Sequence, residues 1–411
     1  MILDIISIGD ELLIGQTLNT NAHWIAKEMD ALGFRVREHI SISDAKEHIV
    51  YTLDNSLLKA DVVLITGGLG PTNDDLTLPV LNEYFGGELV VNQDVYNDIE
   101  QLITSRGFEM NDNNKQQALV SSKCKVIRNK KGTAPGLWFE KDNKVVVAMP
   151  GVPYEMKGMV ETIISWIKQK YTFPEIVHQM VLTKGLPESK LAEILTDWES
   201  NLPSTIKLAY LPSPGRVKLR LTSIGQNRAE VQQLIDEQVA LLTNIIPDNI
   251  YSVDNKNLEE IIGDLLRHNK QTMATAESCT GGYIAHLITS ISGSSDYFKG
   301  AIVSYANEVK INELRVNSTD IDNYGAVSEQ VVVQMAKGVL TKLNVDYAIA
   351  TSGIAGPTGG TTEKPVGTVW IAVANKNEVM AKKYLFGTDR QVNIERAAFA
   401  GLSMLYDLLN D

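Results

Sequence analysis

The sequence predicts an α/β protein in three parts: a doubly wound N-terminal unit, a small α+β middle module and a C-terminal α/β/α sandwich. Three observations carry this. Short aliphatic runs recur at residues 2–8, 61–66 and 347–351, each followed by a glycine-rich or polar turn, as buried parallel strands should be. Segments with apolar residues at helical spacing alternate with these runs. Between about Thr172 and Asn255 the texture changes to short strands and hairpin signals without a concentrated polar motif.

The totals agree. A chain of 411 residues accommodates roughly two to three domains. A hydrophobic content of 44% is ample for sizeable cores. The formal net charge of -12 disfavours a nucleic-acid or membrane-surface partner, which wants a basic face. Two cysteines, Cys124 and Cys279, allow neither a disulfide framework nor a cysteine-rich zinc site. The N-terminus lacks the basic and apolar regions of a signal peptide, and no apolar run reaches membrane-spanning length, so a cytoplasmic protein is expected.

Taken in order, residues 2–8 form a strand leading into Gly9-Asp10-Glu11. A helix follows from about Asn19, with Ala22, Ile25, Ala26, Met29 and Leu32 on one face and Gly33 stopping it. Residues 34–42 read as a strand. A helix with Ile49, Leu53, Leu57 and Leu58 follows. Residues 61–66 are a third strand, opening into Gly67-Gly68-Leu69-Gly70-Pro71-Thr72-Asn73-Asp74-Asp75. This β-α-β-α-β run puts a glycine-rich loop at a strand's C-terminal end, where doubly wound sheets bind ligands. Residues 76–122 read as helical and polar. A hairpin at 137–140 and 145–149 leads to Met149-Pro150-Gly151-Val152-Pro153, and Pro153 suits a first helical turn because it has no N–H to waste.

The middle module reads as strand 176–183, helix 188–198, a hairpin around Pro212-Ser213-Pro214-Gly215-Arg216, and helix 230–243. It suggests a spacer or a dimerisation element. Arg216, Lys218 and Arg220 alternate on one strand face, the pattern of a solvated surface.

The third unit opens with an amphipathic helix carrying Leu258, Ile261, Ile262, Leu265 and Leu266. Ser328 is placed to cap a helix running to Leu343. Helices interleave here with four strands. The part's organising stretch is Ala276-Glu277-Ser278-Cys279-Thr280-Gly281-Gly282, read as strand, tight turn, helix. A hydroxyl there could be a nucleophile beside backbone N–H groups of Thr280, Gly281 and Gly282 acting as an oxyanion hole. Alternatively, Ser278 or Thr280 merely caps the helix.

A serine nucleophile needs a base. His286 lies two helical turns beyond Ser278, and nothing poises His268. Lys310, in Asn307-Glu308-Val309-Lys310, would serve if burial lowered its pKa, although a lysine in a helix is ordinarily exposed. Cys279 is the rival nucleophile but has no histidine partner. In the first unit Gly67-Gly68-Leu69-Gly70-Pro71-Thr72 resembles a phosphate cradle without a P-loop lysine. Asp74 and Asp75, with Asp10 and Glu11 from another strand end, could bind a divalent cation and assist attack on a pyrophosphate; Asp74 and Asp75 could equally cap the next helix.

Together these motifs resemble the CinA family essentially end to end. The segments from Thr66 to Asp75 and from Met149 to Met156 are similar to its molybdopterin-binding-like N-terminal domain. Those from Ala276 to Gly282 and from Ser352 to Pro357, with Lys364-Pro365-Val366-Gly367-Thr368, are similar to its C-terminal domain. One departure is Val309, where the family more usually has alanine. The resemblance implies a molybdopterin-binding-like α/β/α domain over residues 1–170, an α+β linker or dimerisation module over 171–254 and a nicotinamide mononucleotide (NMN) amidohydrolase domain over 255–411. That activity converts NMN to nicotinate mononucleotide and ammonia. Ser278 would be its nucleophile, Lys310 its base and Arg390 an assisting arginine, with Arg396 a weaker choice. Substrate contacts would come from Thr280, Gly281, Gly282, Tyr305, Asn307, Ser352, Gly353, Gly356 and Gly360. No cofactor is required there. The N-terminal domain would hydrolyse ADP-ribose with a divalent metal, holding the nucleotide through Asp10, Glu11, Thr66, Gly67, Gly68, Gly70, Asp75 and Gly151, and the metal through Asp74 and Asp75; in a variant of this reading it only senses a nucleotide or pterin. A homodimer is implied, with no nucleic-acid or membrane partner.

Overall fold

The computed structural model describes residues 1–72 and 74–410. Asn73, within the glycine-rich loop, lies outside them. The chain divides into two compact units, Met1–Ile176 with Gly225–Asn227, and Val177–Ile224 with Arg228–Asp411. Among the described residues no helix is long and apolar enough to cross a membrane.

The first unit contains strands β1 (Ile2–Ile8), β2 (Arg35–Ile42), β3 (Val62–Thr66), β4 (Leu89–Val91), β5 (Leu119–Ser121), β6 (Lys125–Ile127), β7 (Gly136–Lys141) and β8 (Lys144–Met149). Six of them make one sheet in the order β2-β1-β3-β8-β7-β6. β1 pairs parallel with β2 and β3, and β3 with β8; β7 runs antiparallel to both β8 and β6. The central strands are mostly aliphatic because both faces are covered: one by helices Thr20–Leu32 and Pro153–Lys170, the other by helices Lys46–Lys59 and Thr77–Tyr84. Asn19 caps its helix by accepting from the N–H of Ala22, and Gly33 ends it in the left-handed region at φ 108°.

Residues 76–122 are not wholly helical, as the sequence suggested. β4 and β5 form an antiparallel pair within them. Three-residue strands are too short to show alternation, which is why the pattern hid them.

The next sheet, nearly all in the second unit, has β9 (Glu175–Lys184), β10 (Ile206–Ser213), β11 (Arg216–Gly225) and β12 (Ile250–Ser252), ordered β10-β11-β9-β12. Val217, Leu219 and Leu221 point inward against helices Glu188–Ser200 and Arg228–Ile245. Arg216 departs from the solvated-face expectation: its guanidinium lies 5.3 Å from the Phe399 ring centroid.

The last sheet has five strands rather than four: β13 (Met273–Glu277), β14 (Phe298–Val303), β15 (Tyr347–Gly353), β16 (Thr368–Asn375) and β17 (Val379–Leu385), in the order β14-β13-β15-β16-β17. β13 runs parallel to both neighbours, and the β15-β16-β17 edge is antiparallel. Helices Leu258–Asn269, Tyr283–Thr289 and Arg390–Asn410 cover one face; Asn307–Leu314, Ser318–Tyr324 and Glu329–Lys342 cover the other. Ser328 stands at the N-cap position of Glu329–Lys342, but its hydroxyl donates to the Gly325 carbonyl instead of capping.

A buried serine–lysine pair and a second, open loop site

Ser278 follows the last residue of β13, so the turn sits at the C-terminal edge of the sheet between two parallel neighbours. The register locks it there. The N–H of Ser278 donates to the Thr351 carbonyl on β15 at 3.0 Å, and the Glu277 carbonyl accepts from the N–H of Ser304 at 2.8 Å. Beyond β14 the chain turns into Asn307–Leu314, which carries Lys310 inward on its first turn.

Lys310 is the departure from the ordinary behaviour of lysine. It is 1% exposed, and its Nζ lies 3.1 Å from Ser278 Oγ. Nζ also donates to the carbonyls of Ser304 at 2.7 Å and Tyr305 at 3.3 Å. Burial holds its pKa below the ordinary lysine value of 10.5, because the charged form loses its hydration. Position in a helix gave no sign of this. The carbonyls of Ser304 and Tyr305 hold the amine inward.

The pair opens into a cavity of about 240 Å³, lined by Tyr305, Asn307, Val327, Ser352, Gly353 and Arg390 among others. Arg390, at the start of the closing helix, donates to the Gly356 carbonyl at 2.8 Å and to the Tyr305 hydroxyl at 3.0 Å. Gly356 therefore touches the site only through Arg390. Gly360 and Arg396 do not line the cavity. Val327, which lines it from the turn before Glu329–Lys342, carried no sequence signal.

Thr280, Gly281 and Gly282 require a correction. None of them lines the cavity. The Gly281 N–H donates to the Ser278 carbonyl, and the Gly282 N–H to the Glu277 carboxylate, so neither is free for an oxyanion. Nor does Ser278 or Thr280 cap the helix: Gly282 is the cap residue, and the Thr280 hydroxyl donates to Glu277. Among the described residues, the N–H groups of Cys279 and Thr280 have no partner outside their own residue. Cys279 itself is buried, and desolvation pushes its thiol up to about 12, which removes it as a thiolate nucleophile near neutral pH. His268 lies outside this cavity, in the groove beside Asp254 and Lys256.

In the first unit the ends of β1, β3 and β8 converge. The Gly67 N–H donates to the Met149 carbonyl, and a Cβ on Gly67 would sit 2.2 Å from the Ile8 carbonyl oxygen, so only glycine fits. Gly151 packs against Gly67, and Asn21 donates to its carbonyl at 2.7 Å. The buried Thr66 ends β3, and Gly67 accepts from the Thr77 hydroxyl at 2.8 Å. A cavity of about 220 Å³ opens over the loop, lined by Gly68, Gly70, Thr72, Asp75, Asn113 and Gln117 among others. The amides Asn113 and Gln117 had no signal beyond general polarity.

The carboxylates behave differently from the sequence reading. Asp75 closes the loop by accepting from the N–H and hydroxyl of Thr72, at 2.8 and 2.6 Å. Neither it nor Asp74 caps the following helix, whose cap residue is Leu76. Asp10 and Glu11 form an exposed helical turn, and the Asp10 N–H donates to Asp44. Asp44 is buried enough that desolvation raises its pKa, with the charges of Asp10, Glu11 and Asp74 adding to the effect. Among the described residues no three His, Cys, Asp or Glu side chains gather as a metal-holding group.

Comparison with known proteins agrees with this architecture. The CinA C-terminal domain family matches residues 255–409, the probable molybdopterin binding domain family residues 4–169 and the damage-inducible protein CinA KH domain family residues 178–252. A CinA-like protein of Cytophaga hutchinsonii is 45% identical over 98% of this chain and 96% of its own. Another from Flavobacterium psychrophilum is 48% identical over 98% of this chain and 97% of its own. Among solved structures, the competence/damage inducible protein CihA from Agrobacterium tumefaciens is 37% identical and covers 39% of this chain and all of its own, with a TM-score of 0.36. With full-length relatives at this identity and a family match in each part, the chain belongs to the CinA family.

Proposed function

We propose that the C-terminal domain is an amidohydrolase that converts NMN to nicotinate mononucleotide and ammonia. One observation carries the reading: a serine hydroxyl and a buried lysine amine 3.1 Å apart, facing a cavity with an arginine at its rim. A neutral amine has two N–H bonds and one lone pair. The carbonyls of Ser304 and Tyr305 match the two N–H bonds, and the lone pair is left for the Ser278 hydroxyl.

Ser278 Oγ attacks the carboxamide carbon as its proton passes to Lys310 Nζ. The tetrahedral oxygen takes up negative charge, and the unpartnered N–H of Cys279, a residue that lines the cavity, is the donor nearest the nucleophile in sequence. The C–N bond breaks as Lys310 returns the proton to the leaving nitrogen, and ammonia departs. Water, giving a proton to Lys310, then cleaves the ester, and Ser278 recovers its hydrogen. Arg390 and Gly353 suit the nucleotide phosphate: the guanidinium still has N–H bonds beyond the two it spends on Gly356 and Tyr305. The test is ammonia release from NMN by the full-length protein; none from folded protein would end this reading.

For the N-terminal domain the observations favour nucleotide binding without turnover. The glycine-rich loop and the amides Asn113 and Gln117 line one cavity, and among the described residues no three His, Cys, Asp or Glu side chains gather as a metal-holding group. ADP-ribose is the ligand to try. Binding with no product over hours supports this reading. Turnover that EDTA abolishes while deamidation continues would establish a pyrophosphatase in its place.

A further inference from the structure

We propose that Glu277 is a positioning residue of the Ser278 site: its buried carboxylate ties together the N–H groups at the start of helix Tyr283–Thr289 and so fixes the turn that carries the nucleophile. The inference rests on the amidohydrolase reading for its kinetic consequences, but not for its geometry.

Glu277 is the last residue of β13 and is 0% exposed. A carboxylate removed from water is strongly unfavourable unless every lone pair finds a donor. Here five donors converge. Oε1 accepts from the Thr275 hydroxyl at 3.0 Å and the Ala285 N–H at 2.9 Å. Oε2 accepts from the Thr280 hydroxyl at 2.8 Å and from the N–H groups of Gly282 and Ile284, both at 3.0 Å. None of the five is a cation. Those of Ile284 and Ala285 belong to the first turn of the helix, and that of Gly282 to its cap residue, all donors a helix leaves without internal partners.

The same residue reaches the other half of the pair. Its main-chain carbonyl accepts from the N–H of Ser304, and the Ser304 carbonyl in turn accepts from Lys310 Nζ. Its side chain holds the chain after Ser278, and its main chain holds the residue that orients Lys310. Thr280 adds a cross-brace, since its hydroxyl also lies 2.8 Å from that of Thr351 on β15. The separation of Ser278 from Lys310 is thereby set from both sides by one residue.

Only a carboxylate fits. Each oxygen receives at least one backbone N–H, which cannot rotate away. A glutamine amide in either orientation would point its NH₂ at such a donor. An aspartate is one methylene too short to span the same donors.

The experiment uses full-length protein with Glu277→Gln and Glu277→Asp. Amide hydrogen exchange is followed at Gly282, Ile284 and Ala285, alongside steady-state ammonia release from NMN across pH. In wild type these amides should be protected, and in Glu277→Gln they should exchange at least about tenfold faster. kcat should fall about 10- to 100-fold with KM within about threefold, because misplacement of a reacting pair costs rate before it costs binding. The acid limb of the pH profile should stay where wild type has it, since burial of Lys310 is unchanged. Wild-type kcat in Glu277→Gln, or unprotected amides in wild type, would overturn the proposal. So would equal losses of NMN affinity and kcat. If Glu277→Gln does not fold, Thr280→Val removes one donor from the same carboxylate and is read by the same two measurements, with a smaller expected effect. Wild-type protein that releases no ammonia yet keeps these amides protected would end the amidohydrolase reading and leave the positioning geometry intact.

Discussion

The loop after β3 and the turn after β13 are built alike and used differently. Each leaves the C-terminal end of a strand with parallel neighbours on both sides, and each is rich in glycine. After β13 the ionisable groups are buried: Glu277 and Lys310 are withdrawn from water, and every polar contact of the lysine is specified. At the ends of β1 and β3 the acids stay out. Asp10, Glu11 and Asp74 are exposed, and Asp75 is spent on closing its own loop. Burial changes what a side chain can do at neutral pH, whereas a solvated carboxylate keeps its hydration. The strand-end position makes a site possible; desolvation decides whether it is poised for proton transfer.

The largest expected effect comes from the nucleophile. Ser278→Ala should cut ammonia release at least about 10³-fold in a protein whose circular dichroism is unchanged. ADP-ribose affinity at the other loop, measured by calorimetry, should not move. Loss of both together would break the contrast between two independent sites.

Removing the base comes next. Lys310→Met should lower kcat about 10²- to 10⁴-fold and remove the acid limb of the pH profile. In wild type the rate should rise with pH through a value below 10.5, as Lys310 loses its proton. The stability sign follows. Because the folded-state pKa is lowered, the unfolded chain binds more protons between the folded and unfolded values, so stability rises with pH across that window. Lys310→Met should flatten this rise in pH-dependent thermal melts.

Arg390→Lys should raise KM for NMN about 10-fold with a smaller change in kcat, because an ammonium cannot span Gly356, Tyr305 and a phosphate as a guanidinium does. The smallest effect belongs to Cys279→Ala. With the thiol held at about 12, turnover should stay within about threefold of wild type. A larger loss would make the thiol a participant and the serine–lysine assignment incomplete.

Much of the architecture was legible in the chain. The aliphatic runs of β1, β3 and β15, the helix stripes and the stops at Gly33 and Pro153 are local signals, and local signals survive in sequence. β4 and β5 were not legible, being too short to set a period. At the site, the residue types Ser278, Lys310 and Arg390 stood out through their motifs, but their relation did not.

What the sequence determined by itself is the order of the longer elements, the family and the placing of polar motifs at strand ends, because alternation, helical spacing and glycine are properties of neighbouring residues. Tertiary structure alone decided three things. It buried Lys310 beside a serine 32 positions away. It turned Glu277 inward to occupy the Gly282 N–H and spent the Gly281 N–H on the Ser278 carbonyl, two of the three groups that Thr280–Gly282 were expected to offer a substrate. It spent Asp75 on closing its own loop through Thr72. Each depends on how much water the packed chain leaves around a charge, and no run of adjacent residues records that.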